Sequence, residues 1–316
     1  MDQAQKKIIS IVTHCYNEEE NVAEVYRQVK EVFAELPQYD YEHIFIDNAS
    51  KDETVNILKK IAKEGNQVKI IVNTRNFGPI CSSQHALLQA QGDAAVMLAA
   101  DLQDPPALIK DFIRKWEKGY KIVIGIKTKS ETNLVMLAIR KIYYNLIKKI
   151  AEIEQIKNFT GFGLYDRKFI EILKKFDDPY PYFRGMITEI GFPRAEIEYV
   201  QPERKKGKSS YNFYILYDMA MLGFVNHSKV PLRLASFIGF GMSTVSFLVA
   251  LIYLIRKLLH WEEFQLGLAP LIVGIFFIGS IQLFFIGILG EYIGAIYTQV
   301  KHRPLVIEKE RINFEK

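Results

Sequence analysis

Cysteine is scarce in this sequence. Cys15 and Cys81 are the two in 316 residues. Two thiols cannot build the disulfide framework of a small secreted domain, so both are expected to be reduced and the domain that holds them intracellular. Glycine, at 19 residues, is too rare for a collagen-like repeat. No G-x-G-x-x-G and no P-loop sequence occurs, which disfavours an ordinary dinucleotide fold and an ATPase. Charge of one sign is also nearly missing. Forty-one basic residues against 36 acidic ones leave a net charge of +5, too little to imply a nucleic-acid partner. The stretch from Met1 to Lys7 is polar and the apolar run after it is short, so no secretory signal is expected.

Long apolar runs, by contrast, are present, and all lie late in the chain. Leu234 to Ile255 carries no charged side chain; at about 1.5 Å per residue a helix of that length spans a bilayer core. Leu266 to Leu289 is also uncharged. The short connection between them holds Trp261, and a buried core helix does not explain two such runs side by side. The expectation is a two-helix transmembrane hairpin at about 234–255 and 266–289. Basic residues flank its outer ends: Arg204, Lys205, Lys206, Lys208, Lys229 and Arg233 before, Lys301, Arg303, Lys309 and Arg311 after. The connection offers Arg256 and Lys257. The positive-inside rule then places both termini in the cytoplasm, making a multi-pass protein of the cell membrane with a cytoplasmic domain over 1–229 and a cytoplasmic tail over 301–316.

Residues 1–229 read as a soluble α/β unit. Apolar runs at Ile8–Thr13, Tyr41–Asp47, Val68–Asn73, Ala94–Ala99 and Lys121–Ile126 alternate with helical patterns at Glu18–Leu36, Asp52–Gly65, Pro79–Gln91 and Pro105–Lys118. A Ser50/Asp52 cap is expected to open the second helix and Gly65 to close it. This alternation indicates parallel βαβ units, whose ligands bind beyond the carboxyl ends of the strands. All five strand ends are polar: His14-Cys15-Tyr16-Asn17-Glu18, Asp47-Asn48-Ala49-Ser50, Arg75-Asn76-Phe77-Gly78, Asp101-Leu102-Gln103-Asp104 and Lys127. Oxygen ligands two residues apart at a strand end suit a hard divalent cation, and Asp101 is too far upstream of Pro105 to cap the next helix. Asp104 fits either a ligand role or a helix cap. A cationic amphipathic helix is expected near 131–152, carrying Arg140, Lys141 and Lys148 opposite an apolar stripe, and an aromatic-rich one near 211–227. Both suit a membrane interface.

Tyr16-Asn17-Glu18, Asp47-Asn48-Ala49-Ser50, Arg75-Asn76-Phe77-Gly78 and Asp101-Leu102-Gln103-Asp104-Pro105-Pro106 together resemble glycosyltransferase family 2. Within it they resemble the polyprenyl-phosphate hexose synthases, the dolichyl-phosphate mannose synthase-like and bactoprenol glucosyltransferase enzymes. The resemblance implies a Rossmann-like GT-A nucleotide-sugar domain and inverting transfer of a hexose, with glucose from UDP-glucose favoured, to a polyprenyl phosphate. It implies nucleotide contacts at Tyr16, Glu18, Asp47 and Arg75, and Mg²⁺ or Mn²⁺ held by Asp101 and Gln103. Phosphate contacts are implied for Lys127, and for Arg204, Lys208 and Ser209 in an R-x-x-G-K-S-like segment; Arg140, on the cationic helix, is expected from its own position to help hold the two phosphate-bearing substrates together. A homo-oligomer is also implied, with Gly239, Gly241, Gly274 and Gly279 allowing close helix contacts. The sequence departs from the family at Ala99, where an acid is usual, at Ala49, where glycine is usual, and at Gly161, where an acid precedes Phe162. Mannose or a modified amino-sugar is the alternative donor sugar. A non-catalytic nucleotide-sugar-binding membrane scaffold is the reading of another class.

Overall fold

The computed structural model describes residues 6–128, 156–176, 178, 181–202, 230–259, 268–301 and 303–314. The first apolar run becomes β1 (Lys7–Cys15), buried from Ile9 to Thr13. The expected alternation follows: α1 (Val22–Ala34), β2 (Tyr39–Asp47), α2 (Thr54–Ala62), β3 (Val68–Asn73), α3 (Pro79–Gln89), β4 (Ala94–Ala99), a 3-10 turn at Pro106–Leu108, α4 (Ile109–Glu117) and β5 (Ile122–Lys127). Later in the chain come β6 (Gly163–Asp166), α5 (Arg167–Leu173), α6 (Phe183–Ile190), β7 (Arg194–Tyr199), two long helices, α7 (Val230–Leu259) and α8 (Leu268–Val300), and β8 (Glu308–Ile312).

The eight strands form one sheet in the order β7-β5-β6-β4-β1-β2-β3-β8. β1 pairs in parallel with β2 and β4, β2 with β3, and β5 with β7. The sheet is therefore not purely parallel. β6 runs antiparallel between β4 and β5, and β8 runs antiparallel along β3. At Gly163 a Cβ would lie 2.5 Å from the Val123 carbonyl oxygen, so the wedge closes only around glycine.

Helices cover both faces. Ile109, Phe112, Ile113 and Trp116 recur at helical spacing, so α4 buries one stripe, together with α1, against Ile9, Ile11 and Val96. The other face packs α3, α5 and α6 on Val12, Ile44, Ile46, Met97 and Ile124. Each fully buried large apolar side chain of these stripes contributes roughly 1.5–3 kcal/mol.

The helix boundaries differ from the sequence pattern in two places. α1 begins at Val22, not Glu18, because the Glu18 carbonyl accepts the Asn21 and Val22 N–H groups in a preceding turn, at 2.9 and 3.0 Å. α2 ends at Ala62, before Gly65. Asp52 caps the start of the helix as expected, its carboxylate accepting from the Thr54 N–H (3.1 Å) and hydroxyl (2.6 Å), while Ser50 turns back onto Asp47.

α7 and α8, of 30 and 33 residues, expose large apolar side chains such as Phe237, Phe240, Leu283 and Phe284. Among the described residues one stretch, Phe277–Val300, is long and apolar enough to cross a membrane by length and composition. α8 continues past Leu289, where the apolar run had been expected to end. The expected interface helices near 131–152 and 211–227 lie outside the described residues.

After α8 the chain returns to the sheet. β8 covers the edge of β3 that would otherwise be open to pairing with another chain. Lys59 pairs with Glu310 at 2.6 Å, His85 Nε2 with Glu308 at 2.5 Å, and Arg311 with Glu308. Asn313 Nδ2 donates to the carbonyls of Ala62 (2.9 Å) and Val68 (2.8 Å). Burial raises the Glu308 pKa, but hydrogen bonds from Arg311 and His85 outweigh it and hold the carboxyl below its ordinary 4.5. A depressed carboxylate stabilises the fold above its unfolded pKa, and that stabilisation fades as pH falls through the folded value. Deleting residues 305–316 is expected to lower the melting temperature and to abolish hydrogen-exchange protection at Ile70 and Val72, whose N–H groups lie on the β8 side of β3. In the intact chain the same amides are expected to lose protection first as pH falls below 4.5. Unchanged exchange in both experiments would refute the strand's role.

Candidate active site

The sequence motifs meet at the carboxyl edge of the sheet because β1, β2, β3, β4 and β5 all end there. Three of these turns hold non-glycine residues at positive φ: Asn17 (54°), Ala49 (63°) and Leu102 (59°). Each costs about 1–2 kcal/mol relative to a right-handed conformation, less for asparagine. Such strain persists where surrounding contacts over-determine the loop. Asn17 is fixed by the Ser50 hydroxyl, which accepts its N–H at 2.8 Å, and by its own side-chain oxygen, which accepts from Lys51 N–H at 2.8 Å. The value at Ala49 explains why glycine is usual there.

Asn48 ties the second and third strand ends together. Its Oδ1 accepts from Asn73 Nδ2 (3.2 Å), Ser82 Oγ (2.9 Å) and the Phe77 N–H (2.9 Å). Its Nδ2 donates to Asn76 Oδ1 at 2.8 Å, which also accepts the Gly78 N–H. An aspartate here could not make that donation. The Asn-Phe-Gly turn and the start of α3 are thus hung on one buried carboxamide.

A cavity of about 270 Å³ opens beside this turn. Its floor is His14 at the end of β1, Met97 to Ala99 of β4, and Asp101, Gln103 and Asp104 in the loop that follows. Lys127 of β5 and Thr160 to Phe162 form one side. Pro79, Ile80, Ser83 and Gln84 of α3, with Pro181 to Arg184, form the other. Of the residues expected from sequence, the cavity brings together Asp101, Gln103 and Lys127. Tyr16, Glu18, Asp47 and Arg75 are not in its lining. Arg140, Arg204, Lys208 and Ser209 lie outside the described residues.

The residues outside the cavity have local partners. Asp47 is fully buried and accepts from the Ser50 N–H at 3.0 Å and from the Ser50 hydroxyl; burial raises its pKa. Glu18 is buried and accepts from Asn21 Nδ2 at 2.5 Å. Arg75 is exposed, with its guanidinium 3.9 Å from the Phe77 ring centroid.

Within the cavity, Asp101 and Gln103 stay partly open, and the Asp101 carboxylate accepts the Gln103 N–H at 3.1 Å. Asp104 does not cap the following helix. Its carboxylate accepts from the Tyr199 hydroxyl (2.9 Å) and weakly from the Ala99 N–H (3.3 Å), joining β4 to β7. Burial pushes this carboxyl up to about 6, against the opposing pull of Lys127 and Tyr199. His14, the first of the polar residues that end β1, also lines the cavity. Burial lowers its pKa and the nearby Asp101 only partly offsets this, so the imidazole is neutral at pH 7.

Residues 10–173 match the family model described as glycosyl transferase family 2. The chain belongs to that family. It is 35% identical to the uncharacterized glycosyltransferase YkcC of Bacillus subtilis, over 97% of this chain and 94% of the relative. It is 34% identical to the bactoprenol glucosyl transferase of Shigella phage SfV, over 95% of this chain and 98% of the relative. Among solved structures, the mannosyltransferase PcManGT of Pyrobaculum calidifontis is similar over 94% of this chain and 88% of that one, at 15% identity and a TM-score of 0.43.

The protein is thus a glycosyltransferase, and its mixed α/β sheet is a GT-A-like fold. The scaffold reading gives way to an enzyme. The cavity wall supplied by α3 and by Pro181-Tyr182-Phe183-Arg184 was not marked out by the sequence reading. An aromatic-arginine run following proline was the available signal for the second; a lone glutamine in a helix gives none. Replacing Ala49 with glycine is expected to relieve the turn and raise stability by about 0.5–1 kcal/mol, the strain outweighing the added chain entropy of glycine. A thermal melt of the purified enzyme checks it, and a lower midpoint would show that the turn is not strained.

Proposed function

We propose that this glycosyltransferase moves a hexose, with UDP-glucose as the favoured donor, onto a polyprenyl phosphate at a membrane surface. One observation carries the reading: Asp101, Gln103 and Lys127 converge on a single cavity at the strand ends. The relatives named bactoprenol glucosyl transferase, matching over nearly the whole chain, support the lipid acceptor. Mannose or a modified amino-sugar is the alternative donor sugar.

The donor set fits a divalent cation. Asp101 and Gln103 offer hard oxygens two residues apart on the cavity wall. Ala99 supplies none, and among the described residues no three His, Cys, Asp or Glu side chains are placed to hold a metal ion by themselves. Asp101 and Gln103 would hold such a cation by two oxygens and leave the rest of its coordination sites to the donor and to water. When bound, it would neutralise charge on the leaving diphosphate.

The remaining chemistry is the chain's own. A phosphate monoester has its second pKa near 6, so the acceptor oxygen is already largely ionised at pH 7. No side chain need remove a proton, which accounts for Gly161 lining the cavity where the family carries an acid. The acceptor oxygen forms a bond to the anomeric carbon from the face opposite the diphosphate. The bond to the diphosphate oxygen breaks and the configuration inverts. The enzyme's task is to hold two anions near each other. Lys127 contributes a positive charge within the cavity, and Arg140, Arg204, Lys208 and Ser209 are proposed to close on the acceptor phosphate.

Residues 1–229 are proposed as the cytoplasmic catalytic unit and 230–300 as a transmembrane hairpin that keeps it where lipid acceptors concentrate. Gly239, Gly241, Gly274 and Gly279 have open space where a Cβ would stand, leaving room for helices of a second copy in a homo-oligomer.

Detergent-purified enzyme, given labelled UDP-glucose and a polyprenyl phosphate, is expected to yield chloroform-extractable label with Mg²⁺ or Mn²⁺ and none with a chelator. Asp101→Ala is expected to lower transfer by about a hundredfold or more. Full activity of that variant would defeat the metal assignment. Failure with every sugar nucleotide in a panel would defeat the proposed reaction.

A further inference from the structure

Gln84 is the one side chain of the cavity wall whose polar atoms are all buried and unmatched among the described residues. It is 2% exposed, and neither Nε2 nor Oε1 has a hydrogen-bond partner. A carboxamide can donate twice and accept twice, and burying it unmatched costs the full desolvation of those groups. The position is not loose. Ser82, two residues earlier, is locked to Asn48 and Asn73, so the first turns of α3 present Ser83 and Gln84 to the cavity on a fixed backbone.

The chemistry around Gln84 narrows what it meets. The expected nucleotide contacts, Tyr16, Asp47 and Arg75, lie away from this cavity, whereas Asp101, Gln103 and Lys127 border it. Diphosphate and lipid phosphate are anions that Lys127 and a cation held by Asp101 and Gln103 already match, so neither needs a further neutral amide. A prenyl chain offers no hydrogen bond. The transferred sugar is the remaining part, and its ring faces suit the apolar walls of Ile80, Met97 and Phe162.

We infer that Gln84 reads the transferred sugar, its carboxamide turning from its closed-off position to pair with a neighbouring donor and acceptor on the hexose. Two adjacent hydroxyls present such a pair, and so does an acylamino substituent. Gln84 is then a specificity residue, and the assignment rests on the sugar-nucleotide reading given above.

The test uses the full-length enzyme in detergent with Gln84→Leu and Gln84→Glu. Affinity is measured for UDP alone and for UDP-glucose, UDP-galactose and UDP-N-acetylglucosamine, alongside kcat/KM for transfer. Leucine keeps the size and removes the amide. Glutamate keeps the shape and exchanges a donor for an acceptor. Both variants are expected to bind UDP within twofold of wild type, to lose about tenfold or more in kcat/KM for the preferred donor, and to discriminate less among the three sugars. Preference for the N-acetylated donor in wild type assigns the acylamino pair, and preference for an unsubstituted hexose assigns the hydroxyl pair. Unchanged kcat/KM and donor ranking in both variants would overturn the inference, as would equal loss of UDP and UDP-sugar affinity. If leucine prevents folding, the glutamate variant carries the same expectations. Wild-type enzyme that binds UDP-sugars no more tightly than UDP would sink this inference alone. Wild-type enzyme that transfers no sugar would sink the reaction beneath it.

Discussion

The hydrogen bonds around the Asn48 carboxamide decide where the cavity wall stands. Asn48 joins the end of β2 to Asn73 at the end of β3, to the Asn76–Phe77 turn and to Ser82 in α3. These groups are buried or partly buried, where an unmatched polar atom is costly and a matched network is rigid. Loosening Asn48 would therefore release the turn and the first part of α3 at once, and with them one side of the cavity. Asp104 does the corresponding work opposite, holding β4 to β7 through Tyr199.

The first five strands were legible because apolar runs bounded by polar loops alternate with helical periodicity, a local signal. The three remaining strands were not. β6 is four residues long and exists through pairing with β4 and β5, on either side of it in space. β8 is Glu-Lys-Glu-Arg-Ile, a sequence that looks like a solvated tail until β3 offers an edge for it. Charged side chains on an edge strand are what a protein uses to prevent pairing with other chains, so the composition that hid the strand is also what suits it to the position.

The site was readable to a similar extent. That Asp101, Gln103 and Lys127 share one cavity could be anticipated because the ends of parallel strands gather at one edge of an α/β sheet. Asp104 could have been a cap or a ligand from spacing alone, and burial beside Tyr199 makes it a structural strut. His14 showed only as one polar residue of a strand end and Gln84 gave no signal, because facing the cavity depends on which side of a strand or helix a residue takes. Tyr16, Glu18, Asp47 and Arg75 occupy the expected loops but shape or flank the edge instead of lining the cavity. The basic residues that would complete phosphate binding fall outside the described part of the chain.

The return of β8 has a topological consequence. β7 precedes the two long apolar helices and β8 follows them, yet both are strands of one sheet. A rigid sheet cannot lie on both sides of a lipid bilayer. Any membrane passage made between Tyr199 and Glu308 must therefore be undone before the chain comes home, and the number of passages is even. If α8 crosses, another segment of that interval crosses in the opposite direction. Hydrogen bonds at one edge of a sheet thus impose a parity rule on helices far from it, and the rule would hold whatever the sequence of those helices.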